Sequence, residues 1–205
     1  MGISRRSFDD YNKQNKASDI FLTNFVSYCN QLTTNIMSKI SYDEISDWEQ
    51  FENLVAAYFR SLDNEQNKNV VLEVNQSGKG SDGGRDILVK FLVNDSVRAF
   101  TRTWVVQCKF YARDLKKSDL ADINIPTLIH QYDANGYLLI CKQGVINTLA
   151  TMFEDLNKNC KLRYDYVYWT GAEFKEKILL ANLSLQKQFF PEYYSNIEKL
   201  KNRSV

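Results

Sequence analysis

A glycine-rich loop that runs directly into an apolar strand limits the folds open to this chain more than any other feature. The loop covers residues 78–86 and contains four glycines, the apolar run Ile87–Val93 follows it, and the run Thr103–Phe110 comes after a polar connection. Residues 70–74, before the loop, are also apolar and rich in valine, which is typical of a strand. Because no helical pattern separates these runs, they predict a meander of three neighbouring strands.

Three polar residues in this meander have the spacing of a reactive site. Side chains two residues apart on a strand share a face, so Gln107 and Lys109 point the same way and Cys108 points the opposite way. If the strands are neighbours, Asp86 meets Gln107 and Lys109 at one end of the sheet. Mg²⁺ prefers oxygen ligands, so we expect it on the Asp86 carboxylate, the Gln107 amide and the Cys108 backbone carbonyl, with Mn²⁺ as the alternative ion. Lys109 would orient or deprotonate a water and stabilise charge on a phosphate, a pattern that suits attack on a phosphodiester.

The glycine loop also satisfies the G-x-G-x-x-G pattern of dinucleotide-binding folds. A dinucleotide-binding fold needs a helix that begins at the loop, followed by a strand that ends in an acidic residue about twenty residues further on. Here a strand follows the loop directly, and no helix separates Asp95, the nearest acid to the expected place, from the loop. Two alternatives stay open: the glycines let backbone amides approach a phosphate, or the loop is an ordinary hairpin turn. Asp82 is a secondary site candidate that would otherwise stabilise the loop.

An upstream helix places an acid among apolar residues. Ser46 and Glu49 have the spacing of a capping box, which predicts a helix beginning near Ser46. Glu52 shares a face of this helix with Val55 and Phe59. The residue is either a glutamate at the edge of the stripe that reaches solvent, or, given the downstream motif, an acid beside the metal.

The positive charge of the chain is local rather than global. The formal net charge is only +1, but residues 98–117 carry six cations against one anion. This segment is either a phosphate-binding patch or a solvated loop. The candidate DNA-binding residues are Lys79, Arg85, Arg113, Lys116 and Lys117.

These motifs together resemble a known family. The segments Asp82–Ile87 and Val106–Tyr111 look like the Mrr-type restriction endonuclease catalytic domain, a branch of the PD-(D/E)xK nuclease superfamily with Gln in the second acidic position. The branch also has an upstream helix with a glutamate, which Trp48–Val55 resembles with Glu52 in the matching place. The resemblance covers roughly Ser46–Thr170, and it implies a restriction or anti-phage defence role. It also implies a polar residue on the helix after the Gln-x-Lys strand, for which Gln131 is the candidate.

The remaining elements follow from apolar periodicity. We expect an α/β fold of the restriction-endonuclease type, with a mixed central β-sheet flanked by α-helices. The predicted elements outside the meander are a long N-terminal helix at 19–40, helices at 118–132, 145–156 and 171–183, strands at 137–141 and 164–169, and an aromatic segment from 186 that packs back on the body. Pro126 predicts either a kink or a late start in the helix at 118–132. The succession of strand, helix and strand predicts that the last two strands are parallel additions to the sheet. The predicted divisions are a helical extension at 1–45, a nuclease domain at 46–183 and a helical tail at 184–205.

The function expected from residues and resemblance is a Mg²⁺-dependent endodeoxyribonuclease, the effector domain of a defence protein. Expected partners are double-stranded DNA and either a second copy of the chain or a larger defence complex, with no membrane. The start of the chain lacks a signal-peptide pattern and the cysteines are scattered, so we expect a cytoplasmic location. Two alternatives remain: a catalytically silent DNA-binding module on the same fold, and an exonuclease or RNA nuclease of the superfamily.

Overall fold

The computed structural model describes residues 40–62, 70–77 and 84–201. The chain divides into two compact units, Met1–Ile40 and Ser41–Val205, and the elements described here belong to the second. The predicted helix at 19–40 and most of the glycine loop, with Lys79 and Asp82, lie outside the described residues.

A mixed sheet of five strands in the order β1-β2-β3-β4-β5 forms the centre of the fold. The strands are β1 (Val70–Gln76), β2 (Ile87–Asn94), β3 (Ala99–Lys109), β4 (Gly136–Cys141) and β5 (Asp165–Trp169). The first three strands pair antiparallel, and β3-β4 and β4-β5 pair parallel. The predicted meander and the predicted parallel additions are therefore confirmed.

The burial of each strand follows from its place in the sheet. Every residue of β4 is buried, because this strand has a strand on each side and helices on both faces. β1 lies at an edge, and Leu72 on it is half exposed. A register shift between Val71 and Glu73 interrupts the pairing of β1 with β2, as a β-bulge does.

Helices cover both faces of the sheet. The α-helices are α1 (Trp48–Ser61), α2 (Ile125–Gln131), α3 (Asn147–Asn159), α4 (Gly171–Leu180), α5 (Leu183–Phe189) and α6 (Pro191–Lys201), with 3₁₀ turns at Tyr42–Glu44 and Lys117–Leu120. One face is covered by α2 and α3, where Ile129 and Phe153 join the buried cluster around Tyr137. On the other face, rings of α1 and α4 meet edge to face, with the centres of Phe51 and Phe174 6.1 Å apart.

Helix boundaries at three places differ from those that apolar periodicity predicts, each for a local reason. The helix predicted from Ser46 begins at Trp48, because the Asp47 carboxylate accepts the Gln50 N–H at 2.8 Å and is the N-cap. Of the two outcomes predicted for Pro126 in the helix at 118–132, the late start is confirmed: the 3₁₀ turn comes first, and α2 begins at Ile125. Pro126 lies in the first turn of α2, where its missing N–H costs no hydrogen bond, and Asn124 caps that turn.

The third difference is at the carboxyl end of the predicted helix 171–183. The structure ends α4 at Leu180, and Asn182 caps a new helix, α5, by accepting the Ser184 N–H. The helices that follow pack back on the body as predicted, since Phe189, Phe190 and Tyr193 are buried. The predicted domain divisions at 45/46 and 183/184 stay predictions. Among the described residues, no helix is long and apolar enough to cross a membrane.

Candidate active site

The antiparallel pairing of β2 and β3 brings Asp86 to the carboxyl end of β3. Ile87 lies opposite Val106 in the register, so the residue just before β2 reaches the Gln107–Lys109 segment. The backbone N–H of Asp86 donates to the Val106 carbonyl at 3.1 Å, which extends the ladder by one residue. The juxtaposition expected from the sequence is therefore present.

The Asp86 carboxylate is fixed against the backbone of β3. Its Oδ2 accepts the N–H of Cys108 at 2.6 Å. Burial raises the pKa of Asp86, while the Cys108 N–H and the positive charge of Lys109 act in the opposite direction. The N–H and C=O of one strand residue point to the same flank, so the Cys108 carbonyl also faces the Asp86 side.

Glu52 enters this site from α1. The side chain is half-buried, and its pKa is raised to about 7, first by burial and then by the negative charges of Asp86 and Glu49. The charge of Lys109 lowers the same pKa in part. Glu52, Asp86 and Lys109 therefore lie within electrostatic reach of one another, and a cation at this position would relieve the repulsion between the two carboxylates.

Gln107 is held by a tyrosine that sequence reasoning missed. The side chain is only 4% exposed, and its Oε1 accepts the hydroxyl of Tyr137 at 2.6 Å. Burial, and secondly the charge of Asp86, raises the pKa of Tyr137 well above its usual value, so the phenol keeps the proton that it donates. An amide oxygen has two lone pairs, so one remains for a second partner.

The donor set at this edge of the sheet suits a hard cation. Among the residues that the structure describes, no group of three or more His, Cys, Asp and Glu side chains could hold a metal ion. A metal site here must therefore combine carboxylates with neutral oxygens. Asp86, Glu52, the Gln107 amide and the Cys108 carbonyl are all oxygen donors, which is the chemistry that Mg²⁺ and Mn²⁺ prefer.

The restriction endonuclease family model Mrr_cat matches residues 43–162, more than half of the chain. The chain belongs to this restriction endonuclease family. The match contains the whole candidate site, from Glu52 on α1 to Lys109 on β3, and family membership supports a nuclease that acts on DNA.

Two solved restriction endonucleases are similar to the chain. The DNA modification-dependent restriction endonuclease AspBHI has a TM-score of 0.45 and 14% identity, over 76% of this chain and 35% of that one. The MspJI restriction endonuclease in complex with a 27-mer oligonucleotide has a TM-score of 0.45 and 16% identity, over 70% of this chain and 32% of that one. The chain thus spans about a third of the length of each. No curated protein matches it in sequence.

Of the expected DNA-binding residues, Arg113 already forms an ion pair with Asp119. Its guanidinium makes two bonds to the Asp119 carboxylate, at 2.7 and 2.8 Å, and lies 5.2 Å from the centre of the Tyr111 ring. The pKa of Asp119 is held far below its usual value, mainly by the bonds from Arg113 and the Lys116 N–H. Lys116 and Lys117 are exposed beside this pair.

The cations predicted as one patch over residues 98–117 do not form a single surface. Arg98 and Arg102 flank the start of β3, and roughly 20 Å of strand separates Arg102 from Lys109 at its other end. Arg102 is also paired with Asp165 on β5. Arg85, the remaining described candidate, lies 4.4 Å from the Tyr132 ring and donates to the Ser77 hydroxyl at 3.0 Å.

One cation missed by the sequence analysis is adjacent to the site. The backbone N–H of Lys142 donates to the Lys109 carbonyl at 3.0 Å, so Lys142 continues the same edge of the sheet one strand further on. The parallel pairing of β3 and β4 creates this adjacency. The only signal available in the sequence was a lysine immediately after a buried strand. Gln131 ends α2 as an exposed side chain 3.4 Å from the Tyr132 hydroxyl, and its role stays a prediction.

Proposed function

We propose that the chain is the cleavage domain of a restriction or anti-phage defence endonuclease and hydrolyses DNA phosphodiesters with Mg²⁺ or Mn²⁺. The observation that carries this proposal is the Asp86 carboxylate, bound to the Cys108 N–H at 2.6 Å and within electrostatic reach of Glu52 and Lys109. Membership of the restriction endonuclease family supports DNA as the substrate.

The roles of the residues follow from their chemistry. Asp86, Gln107 and the Cys108 carbonyl would hold the divalent ion, which when bound polarises the phosphate and acidifies a coordinated water. Lys109, as a fixed positive charge, stabilises the negative charge that builds on the phosphate oxygens. Glu52, a half-buried carboxylate on α1 within electrostatic reach of Asp86, is suited to accept a proton from the attacking water.

The proposed substrate is double-stranded DNA, and a second active site is part of the proposal. One site of this kind hydrolyses one strand, so a double-strand break takes two successive attacks or two chains. We therefore propose that the chain works as a homo-oligomer or as one part of a larger defence protein, located in the cytoplasm.

Plasmid cleavage tests the proposal. Supercoiled DNA is incubated with the full chain in Mg²⁺ or Mn²⁺, and the same assay is run with Asp86→Ala and Lys109→Ala. Lys158→Ala, at an exposed position on α3, is the matched control. We expect nicking or linearisation by the wild type and by Lys158→Ala, and loss of activity in the other two variants. Activity that survives both Asp86→Ala and Lys109→Ala would contradict the proposal.

A catalytically silent DNA-binding module is the second candidate, and the burial of Gln107 favours it. A side chain that is 4% exposed and bound to Tyr137 can act as a core residue rather than as a metal ligand. This candidate predicts DNA binding by the wild type without cleavage in either metal. An exonuclease gives a third outcome, because it degrades linear DNA but leaves closed circles intact.

A further inference from the structure

Two lysines from different elements flank the candidate active site. Lys142 follows β4 and bonds through its backbone N–H to the Lys109 carbonyl at 3.0 Å. Lys175 lies in α4, which begins at Gly171 immediately after β5. Both positions belong to the edge of the sheet where the parallel strands end, which is the edge that carries Lys109.

Close backbone packing at Gly171 fixes the positions of the two lysines. A Cβ atom at Gly171 would lie 1.9 Å from the Lys142 carbonyl oxygen, so only glycine fits at the start of α4. The Gly171 N–H donates to the Gln143 carbonyl at 2.7 Å, and the Tyr42 hydroxyl donates to the Gly171 carbonyl at 2.9 Å. The start of α4 is therefore tied to the end of β4.

Each ammonium group is seated on an aromatic ring rather than on a carboxylate. Lys142 Nζ lies 4.2 Å from the centre of the Phe110 ring, and Lys175 Nζ lies 4.8 Å from the centre of the Tyr42 ring. A ring face attracts a cation but does not neutralise it. Among the described residues, the ion pairs that the structure shows involve neither lysine.

The two positive charges repel each other. Burial lowers the pKa of Lys175, the negative charge of Asp43 raises it in part, and the positive charge of Lys142 lowers it further. The nearby Glu173 carboxylate is used to cap α4, where it accepts the Thr170 N–H at 2.7 Å. Fixed, repelling cations without a paired carboxylate are stabilised when an anion binds between them.

We propose that Lys142 and Lys175 bind consecutive phosphates of the DNA backbone immediately beside the cleavage position. The inference rests on the proposed function and assigns it a backbone-binding surface outside the metal site. The two lysines lie on the same edge of the sheet as Lys109, and this identifies DNA as the anion. A DNA strand whose scissile phosphate lies at Lys109 presents its neighbouring phosphates along that edge of the sheet. Such contacts fix position on the duplex without reading sequence.

Salt-dependent binding tests this surface. Fluorescence anisotropy of a labelled duplex is measured in EDTA, so that no cleavage occurs, for the wild type, Lys142→Gln, Lys175→Gln and the double variant. Lys158→Gln on α3 is the matched control for loss of one charge elsewhere. Each phosphate contact contributes about 0.9 to the slope of log K against log salt, so we expect the double variant to lose about 1.8. We expect Lys158→Gln to keep the wild-type slope. The double variant Lys142→Arg with Lys175→Arg should also keep it, because both positive charges remain.

The outcomes separate this inference from the proposed function. If the wild type binds and cleaves DNA but the double variant binds with the slope of Lys158→Gln, the lysine surface is overturned and the nuclease proposal stands. If the wild type neither binds nor cleaves DNA, both are overturned. Thermal unfolding of each variant identifies any binding loss that comes from misfolding. In that case Lys142→Arg with Lys175→Arg, which keeps both charges, replaces the Gln variants: a wild-type slope in this variant supports the lysine surface, and a reduced slope overturns it.

Discussion

At the scale of single residues, the strongest electrostatic signal is the pair of carboxylates at Glu52 and Asp86. An acid whose pKa is raised in the folded state favours folding while it is protonated and opposes it when ionised. For Glu52 the folded pKa is about 7 against an ordinary 4.5. Its contribution to stability is therefore fully present below about pH 4.5 and is lost as the pH rises through 7.

We predict that Glu52→Gln removes this pH dependence. The variant should melt at a higher temperature than the wild type at pH 8 in EDTA, and the difference should shrink towards pH 4.5. The measurement is thermal unfolding across that range, with Glu154→Gln, an exposed glutamate on α3, as the control. Equal pH profiles for the wild type and Glu52→Gln would show that Glu52 titrates normally.

The hydroxyl of Tyr137 provides a second prediction at this scale. Removing it in Tyr137→Phe leaves the buried Gln107 oxygen without its donor, which costs about 1–3 kcal/mol of stability. If the bond also aims the amide at a metal, the rise in melting temperature on adding Mn²⁺ should become smaller. Cleavage by this variant should then need more Mn²⁺ than cleavage by the wild type.

Tyr166→Phe is a matched control for that experiment. Tyr166 lies opposite Tyr137 in the pairing of β4 with β5 and is also buried, but its hydroxyl contacts the Cys160 sulfur at 3.9 Å. We expect this variant to keep the Mn²⁺-dependent rise of the wild type. The same rise in both variants would mean that the Tyr137–Gln107 bond only stabilises the core.

At the scale of elements, the junction between β5 and α4 depends on one glycine. Gly171→Ala would place a Cβ atom against the Lys142 carbonyl, a backbone atom that can move only with β4. We predict a loss of about 1–3 kcal/mol of stability, typical of overpacking, together with weaker DNA binding through the displaced Lys142. Chemical denaturation with the anisotropy assay measures both effects.

Gly144→Ala is the comparison for the junction. A Cβ atom there would lie 2.9 Å from an Asp114 carboxylate oxygen, the end of a side chain that can rotate away. This variant should be closer to the wild type in stability than Gly171→Ala. Equal losses in the two variants would argue against a special role for the β5–α4 junction.

The same elements show what the sequence can and cannot predict. The meander and the meeting of Asp86 with the end of β3 were predictable, because strand alternation and short connections are local. The late start of α2 at Pro126 was one of two predicted outcomes, and the cap at Asp47 was missed by one residue because the competing cap Ser46 has similar spacing. Contacts between distant segments left no periodic signal: Tyr137 with Gln107, and Lys142 with Lys109, depend on the parallel register of β3 and β4.

At the scale of the whole molecule, the net charge of +1 argues against tight, nonspecific attraction to DNA over the entire surface. Acidic partners neutralise several exposed cations, as Asp119 does for Arg113 and Asp165 for Arg102. Lys109, Lys142 and Lys175 provide positive charge around the candidate site, and Lys116 and Lys117 are exposed beside the Arg113–Asp119 pair. If the chain is the proposed cleavage domain, association with another copy or with a recognition domain would add affinity and a second cut.

Mixing experiments test whether two copies act together. If each strand is cut by a separate chain within one assembly, an excess of Asp86→Ala should form mixed assemblies that cut one strand only. We predict that nicked circles then accumulate at the expense of linear plasmid, because an active chain is paired with an inactive one. A variant with weakened DNA binding, Lys142→Gln with Lys175→Gln on the Asp86→Ala background, separates pairing between chains from competition for the plasmid. Linearisation that simply falls in proportion to the wild-type fraction, with no gain in nicked circles, would mean that single chains make both cuts.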